Sequence, residues 1–339
     1  METLKKQFTA RPIFAEQLLA SGTRQTLKKQ CALWAPVLAL VITLGVHMEM
    51  PNQQPVHADY YTMLISCLTL VFAVCAISAN VKPKWCEKLS YYSLFITVVI
   101  LLTLIYEIIT LKEAWLPLPF FPSLAKILEA YVTDWKVLLK SVAYSLRLLV
   151  LGYFIGMALG IPSGLMMGWY RKFGYWLNPV VRIIGPIPAT AWIPVILVAF
   201  PTSFSGSVFL IALSVWFPVT VMTCSGVCNI NKSYFEIART LGADERYQLL
   251  KIALPGAAPT IFVGMFMGLG GAFATLIAAE MLGVKAGLGW YINWAQGWAE
   301  YYKLYAALGI SAFMCSGCTS LLFKVRDRVL IWQKGTVKW

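Results

Sequence analysis

The sequence predicts an all-α polytopic membrane protein with about eight transmembrane helices, and three observations carry that prediction. The chain of 339 residues is 59% hydrophobic and only 13% charged, with a mean hydropathy of +0.70, which no water-soluble domain needs. Apolar runs recur at about 31–48, 60–79, 91–111, 137–159, 180–199, 207–228, 257–282 and 304–323, each close to the ~20 residues that cross the hydrocarbon core of a bilayer. The basic residues gather in short blocks between those runs. That distribution sets aside nucleic acid as the reason for the net charge of +13 and follows the positive-inside rule.

The same blocks give an orientation. With the N-terminus inside, the cytoplasmic segments are 1–30, 80–90, 168–182, 229–255 and the tail from 324, and they hold 21 of the 28 Lys and Arg residues. The loops on the other side hold Lys112, Lys126, Lys136, Lys285 and Lys303, while Lys140 and Arg147 fall at or in a span. Both termini are therefore expected in the cytoplasm. Residues 1–30 are polar and basic, with Lys5, Lys6, Arg11, Arg24, Lys28 and Lys29 and no apolar stretch of a cleavable signal. Parts of this tail are expected on the lipid surface as an amphipathic helix.

Between the third and fourth runs, the stretch from Leu116 to Ser123 is rich in proline and leads into Leu124, Ile127, Leu128 and Tyr131. That spacing predicts a short helix with one apolar face, lying outside the membrane and capped by Ser123. The next span carries Gly152, Gly156, Gly160, Gly164 and Gly168, one every fourth residue. They form a single helical face on which another backbone can approach closely. Pro186, Pro188 and Pro194 then interrupt the run at 180–199. Broken backbone inside a membrane is tolerated where it is buried in protein or lines a cavity, so this stretch, with Thr190 and Trp192, is a candidate for a translocation pathway. The candidate extends to Arg147 and Glu280, since charges inside a span face protein, water or a partner. An Arg147–Glu280 or Arg147–carbonyl contact is the simpler expectation; a cation that helps admit a small anion is the sharper one.

Residues 233–255 form a polar interruption between two apolar runs. Ser233 followed by Glu236 reads as a capping box, Gly242 as the left-handed residue closing a helix, and Asp244 and Glu245 as the start of a second short helix. Pro255 opens the following span. The segment is expected to stand as a compact knob on the cytoplasmic face. On the opposite side, Trp290, Tyr291, Trp294, Trp298, Tyr301 and Tyr302 are expected mostly as interfacial anchors.

Little in the sequence suggests chemistry. Cys224/Cys228 and Cys315/Cys318 have metal-like spacing but lie in or beside spans without histidine partners. They are expected as small packing residues, with no metal site and no disulfide. His47 and His57 are the only histidines, and neither is expected beside a carboxylate. No Gly-x4-Gly-Lys-Ser/Thr phosphate loop occurs, so any ATP hydrolysis belongs to another chain.

Several of these stretches together resemble the ABC-importer permeases of the nitrate, sulfonate, taurine and bicarbonate type, the inner-membrane components of binding-protein-dependent transport. Glu236, Ala238, Gly242, Ile252, Leu254 and Pro255 match the spacing of that family's EAA loop, with Ile237 as its one departure and Ala243 beside the glycine. The stretch from Arg182 to Pro194, the Leu116–Ser123 segment, Ala278–Gly283 and Gly287–Ile292 resemble further family motifs, whereas Phe200–Gly206 departs from the usual pattern. The resemblance covers about 116–325. It implies a six-helix permease core at 91–339 with its coupling loop at 229–255, preceded at 1–90 by the basic tail and two extra spans.

It also implies a multi-pass protein of the bacterial inner membrane, embedded in lipid. There it would work as a homodimer with ABC ATPase subunits, which carry the ATP and Mg, and with an extracytoplasmic substrate-binding protein. No cofactor is implied on this chain. The solutes carried by the family include nitrate, bicarbonate, taurine and other sulfonates, and also pyrimidine-like vitamin precursors. An ATP-independent secondary transporter is the rival reading, and such a protein has no need of a capped cytoplasmic knob.

Overall fold

A computed structural model describes residues 32–332, apart from 54, 55, 57 and 82. The basic tail with its expected amphipathic helix, Cys31, His57, Lys334 and Lys338 lie outside the described residues. The described residues are mostly helical, in an order that starts with α1 (Ala32–Glu49). There follow α2 (Asp59–Val81), α3 (Pro83–Glu107, extended by a widened turn at Ile108–Lys112), α4 (Leu124–Thr133), α5 (Trp135–Trp169) and α6 (Arg171–Ile184). A 3-10 turn at Ala189–Trp192 precedes α7 (Ile193–Ala199), α8 (Ser203–Cys228), α9 (Lys232–Thr240), α10 (Glu245–Tyr247), α11 (Leu254–Gly283), α12 (Leu288–Gly297) and α13 (Tyr301–Val329). Seven helices among the described residues are long and apolar enough to cross a membrane, or eight if the bent pair α6 and Ala189–Ile196 is one span.

By contact the chain divides into two compact units, Met1–Thr133 and Asp134–Trp339. In the first, Leu40, Tyr61, Ile65 and Ala125 form a core joined by Leu124 and Leu128 of α4, so the apolar face expected there is the packed one. Ser123 starts α4, but its buried hydroxyl has no hydrogen-bond partner, so it is the Ser123 carbonyl, accepting from Lys126 and Ile127, that begins the helix. The expectation for His47 is corrected: its Nδ1 meets Glu107 Oε1, and the Tyr61 hydroxyl donates to Glu107 Oε2 at 2.7 Å. Lys112 Nζ donates to the carbonyls of His47 and Met50 and to Asn52 Oδ1 at 2.6–2.7 Å. These ionisable groups lie within spans and are each supplied with partners, as a low-dielectric surrounding requires.

In the second unit α8 lies between two glycine faces. A Cβ added at Gly152, Gly156, Gly160 or Gly168 would come within 2.6–2.9 Å of the Cβ of Ile211, Val215, Val219 or Val227, respectively. Gly164 faces Thr223 and the Thr220 carbonyl. From the other side Gly264 packs on Met222 and the Pro218 carbonyl, and Gly268 on Val215. The partner of the α5 glycine face is thus α8, and the absence of side chains lets two backbones close on one helix. The Tyr153 hydroxyl donates to the Met265 carbonyl at 2.9 Å and ties α5 to α11. Leu148, Leu149, Ile211, Val215, Val219, Leu276 and their neighbours fill the space between.

Three spans differ most from those expected, and the run at 137–159 is part of the longer α5, Trp135–Trp169. The run at 180–199 is not one helix: residues 180–184 end α6, which begins at Arg171, and the chain then turns by 85° through Gly185–Pro188. Gly185 still carries the helical conformation, but Pro186 and Pro188 cannot donate and the backbone is no longer helical at Pro188, so the break falls between Gly185 and Pro188. The span expected at 257–282 instead runs from Glu245 to Met281 without interruption.

Candidate functional site

The segment 231–255 is built from two caps and a closure. Asn231, not Ser233, is the N-cap of α9, its Oδ1 accepting from the Ser233 N–H at 3.0 Å. The helix therefore begins before the expected capping box. At the far end Gly242 has φ +81°. Its N–H donates to the Arg239 carbonyl and that of Ala243 to the Ala238 carbonyl, at 3.0 and 2.9 Å. This pair of bonds is a Schellman closure, and it requires a left-handed residue at position 242. Asp244 then caps α10, accepting from the Tyr247 N–H at 3.0 Å. A widened turn at Gln248–Ala253 carries the chain into α11, with Ile252 half-buried in it. Leu254 and Pro255 follow, and the missing N–H of Pro255 leaves the Lys251 carbonyl without an α-helical donor, which the wider ladder accommodates.

The knob has an inside and an outside. Ala238 is buried, and Trp169 at the end of α5 braces it, its ring edge-on to Phe235 and its indole N–H donating to Glu245 at 3.0 Å. Gln248 is buried and donates to the Ala243 carbonyl. Glu236 is exposed, and Tyr234, Ile237 and Leu241 are exposed by 63%, 58% and 82%. Their spacing puts three apolar side chains on one outward ridge. Beside it runs a shallow groove lined by Ala243, Tyr247, Lys251 and Ile252. Motif spacing alone misses Tyr234, Leu241 and Tyr247, although the helical interval of 234, 237 and 241 is a signal that could have found the first two.

At the other end of α11 the Glu280 carboxylate is fully buried. Its Oε2 accepts from the Ser145 hydroxyl and from the Gly289 N–H, both at 2.8 Å, and Ser145 Oγ accepts from the Leu288 N–H at 2.8 Å. Gly287, at φ +135°, approaches the carboxylate so closely that a Cβ there would overlap it, and a Cβ on Gly289 would overlap the Ile277 carbonyl and the Glu280 Cβ. Glu280 thus pins the turn between α11 and α12 onto α5. The expected Arg147–Glu280 contact does not form. Arg147 is exposed, with its guanidinium 5.0 Å from the centre of the Phe204 ring.

The proline-broken stretch is brought against the same region. Ile193 and Ile196 pack with Leu210 and Ala279, joined by Trp192 and Ala278. Thr190 is half-buried in the 3-10 turn, and Pro186 and Pro188 are exposed at the bend. Tyr291 corrects the expectation of an interfacial anchor: it is 1% exposed and donates to Asp134 at 2.7 Å. Burial and the Asp134 carboxylate push its hydroxyl well above the usual tyrosine range, so it stays protonated. Trp298, by contrast, is exposed.

With this geometry established, comparison with known proteins is informative. The family described as binding-protein-dependent transport system inner membrane component matches residues 152–330. An ABC transporter permease protein of Methanocaldococcus jannaschii is 30% identical over 58% of this chain and 74% of its own length. The bicarbonate transport system permease protein of Synechococcus elongatus is 32% identical over 56% of this chain and 65% of its own. The taurine transport system permease protein of Escherichia coli is 31% identical over 58% and 74%. The matched stretch includes the glycine face, the bend, the 231–255 knob and Glu280.

Proposed function

Because the chain belongs to the family of binding-protein-dependent transport system inner membrane components, we propose that the 231–255 knob is where a separate ATPase docks. The chain is a multi-pass permease of an ABC importer in the inner membrane. In this reading two copies surround one pathway, ATPase subunits sit on the basic, cytoplasmic side together with both termini, and a binding protein delivers solute to the other side. ATP and Mg act on the ATPase chains, and residues 1–90 are an addition to the six-span core. The solute is a small anion or zwitterion with an oxyanion group, as the names of the bicarbonate and taurine relatives suggest. The bend at Pro186–Pro188, with Thr190 and Trp192, lines the pathway.

The observation that carries the docking assignment is the outward ridge of Tyr234, Ile237 and Leu241 on a helix closed at both ends. An apolar ridge on a polar loop, outside any span, is suited to a partner protein. Ala238 on the inner side and the Trp169 brace hold the ridge at a defined angle, so that a push on it reaches α5 and α11.

The test is Gly242→Val in the importer reconstituted with its ATPase. Nothing lies within 4 Å of a Cβ at this position, so the substitution meets no side chain. It strains the left-handed backbone by about 1–2 kcal/mol. Membrane insertion is expected to persist while binding-protein-stimulated ATP hydrolysis falls. Unchanged stimulation would remove the docking role from this segment.

A further inference from the structure

The geometry points to Arg147 as the anion-attracting group of the pathway, at the inner end of a basic stripe that starts with Lys136 and Lys140. This rests on the reading of the chain as an importer of a small anion and adds the residues that would select for it. The three side chains are four and seven residues apart on α5, which places them along one line of the helix. All three are exposed, whereas the glycines of the same helix are packed on α8.

Arg147 lies twelve residues inward of Trp135 in a helix of 35 residues, about 18 Å along its axis at 1.5 Å per residue. A guanidinium within a span faces protein or water in preference to hydrocarbon. None of the ion pairs formed among the described residues includes it. Glu280, the carboxylate within its span that could have neutralised it, is turned instead to Ser145 and Gly289. The Phe204 ring lies beside the guanidinium, and an aromatic ring takes up none of its N–H donors as an oxygen acceptor would. The result is an uncompensated cation in a span, reached along two lysines and presenting a fork that matches carboxylate, carbonate or sulfonate oxygens. An exposed cation in a low-dielectric wall raises the local concentration of anions.

The experiment reads the potential directly. Leu151→Cys places a thiol one turn further inward on an exposed position of α5. Its rates of modification by an anionic and a cationic methanethiosulfonate are measured on the full chain in proteoliposomes, with the parent chain giving the background of native thiols. The anionic-to-cationic ratio is expected to fall about tenfold with Arg147→Gln and to survive Arg147→Lys, since a unit charge one turn away acts on both reagents with opposite sign. An unchanged ratio overturns the proposal. So does a thiol that neither reagent reaches, because the stripe is then covered by lipid or by a second copy.

Uptake of labelled bicarbonate and taurine by the importer assembled with its ATPase separates the role of Arg147 from the importer function. Arg147→Gln should lower uptake at least tenfold, with ATPase binding retained. Parental uptake in Arg147→Gln overturns the role of Arg147 and leaves the importer reading intact. A ratio that depends on Arg147 in a parent importing neither solute supports the charged site and removes those two solutes.

Discussion

Ser145 holds three elements with one hydroxyl, because it donates to Glu280 of α11 while accepting from Leu288 at the start of α12. Removing it leaves a buried N–H without an acceptor and a buried carboxylate with one donor fewer, which costs about 1–3 kcal/mol. Ser145→Ala is therefore expected to lower the thermal unfolding midpoint of the detergent-solubilised protein; a midpoint equal to the parent's would mean that the turn is held by packing alone. The sequence marks Glu280 as a carboxylate in need of a partner and offers Arg147, the obvious opposite charge. The partner is a serine 135 positions away. Nothing in local spacing announces such a pair, and the same holds for His47 with Glu107. Hydropathy says that a polar group is inside a span, but only the neighbouring helix says what meets it.

Individual helices are far more legible than their contacts. A glycine every fourth residue is a local pattern with one structural use, so the face from Gly152 to Gly168 is readable, although its partner α8 is not. The same substitution on two helices shows how specific that use is. Gly156→Ala places a Cβ 2.6 Å from that of Val215 and 2.7 Å from the Ala212 carbonyl, an overlap that costs about 1–3 kcal/mol as the two helices are pushed apart. Gly270→Ala meets nothing within 4 Å and carries a helix propensity gain of up to about 1 kcal/mol. Thermal midpoints are expected to fall for the first and to hold or rise for the second. Boundaries are the weak point. Ser233 and Ser123 both look like caps, but Asn231 competes for the first role and the Ser123 hydroxyl turns inward. The prolines at 186 and 188 announce a break, but not the 85° turn that makes α6 a separate helix.

At the scale of the whole molecule, composition and charge blocks announce a membrane protein of about eight spans, and the EAA-like spacing announces its family. Neither discloses that the knob and the Glu280 brace are the two ends of one object. From Glu245 to Met281 the chain is a single rod of 37 residues, about 55 Å long at 1.5 Å per residue. Its one irregular stretch is the widened turn at Gln248–Ala253. Such a rod works as a pushrod with one compliant turn: axial motion at the knob is carried through the widened ladder to the far end. Deleting Leu250, an exposed residue of that turn, would restore α-helical pitch and unseat the ridge from its Trp169 brace while the glycine-packed portion stays in register. The shortened chain is expected to insert and unfold as the parent does, yet to lose ATP-driven uptake. The importer would then have an intact pathway and a handle out of its seat.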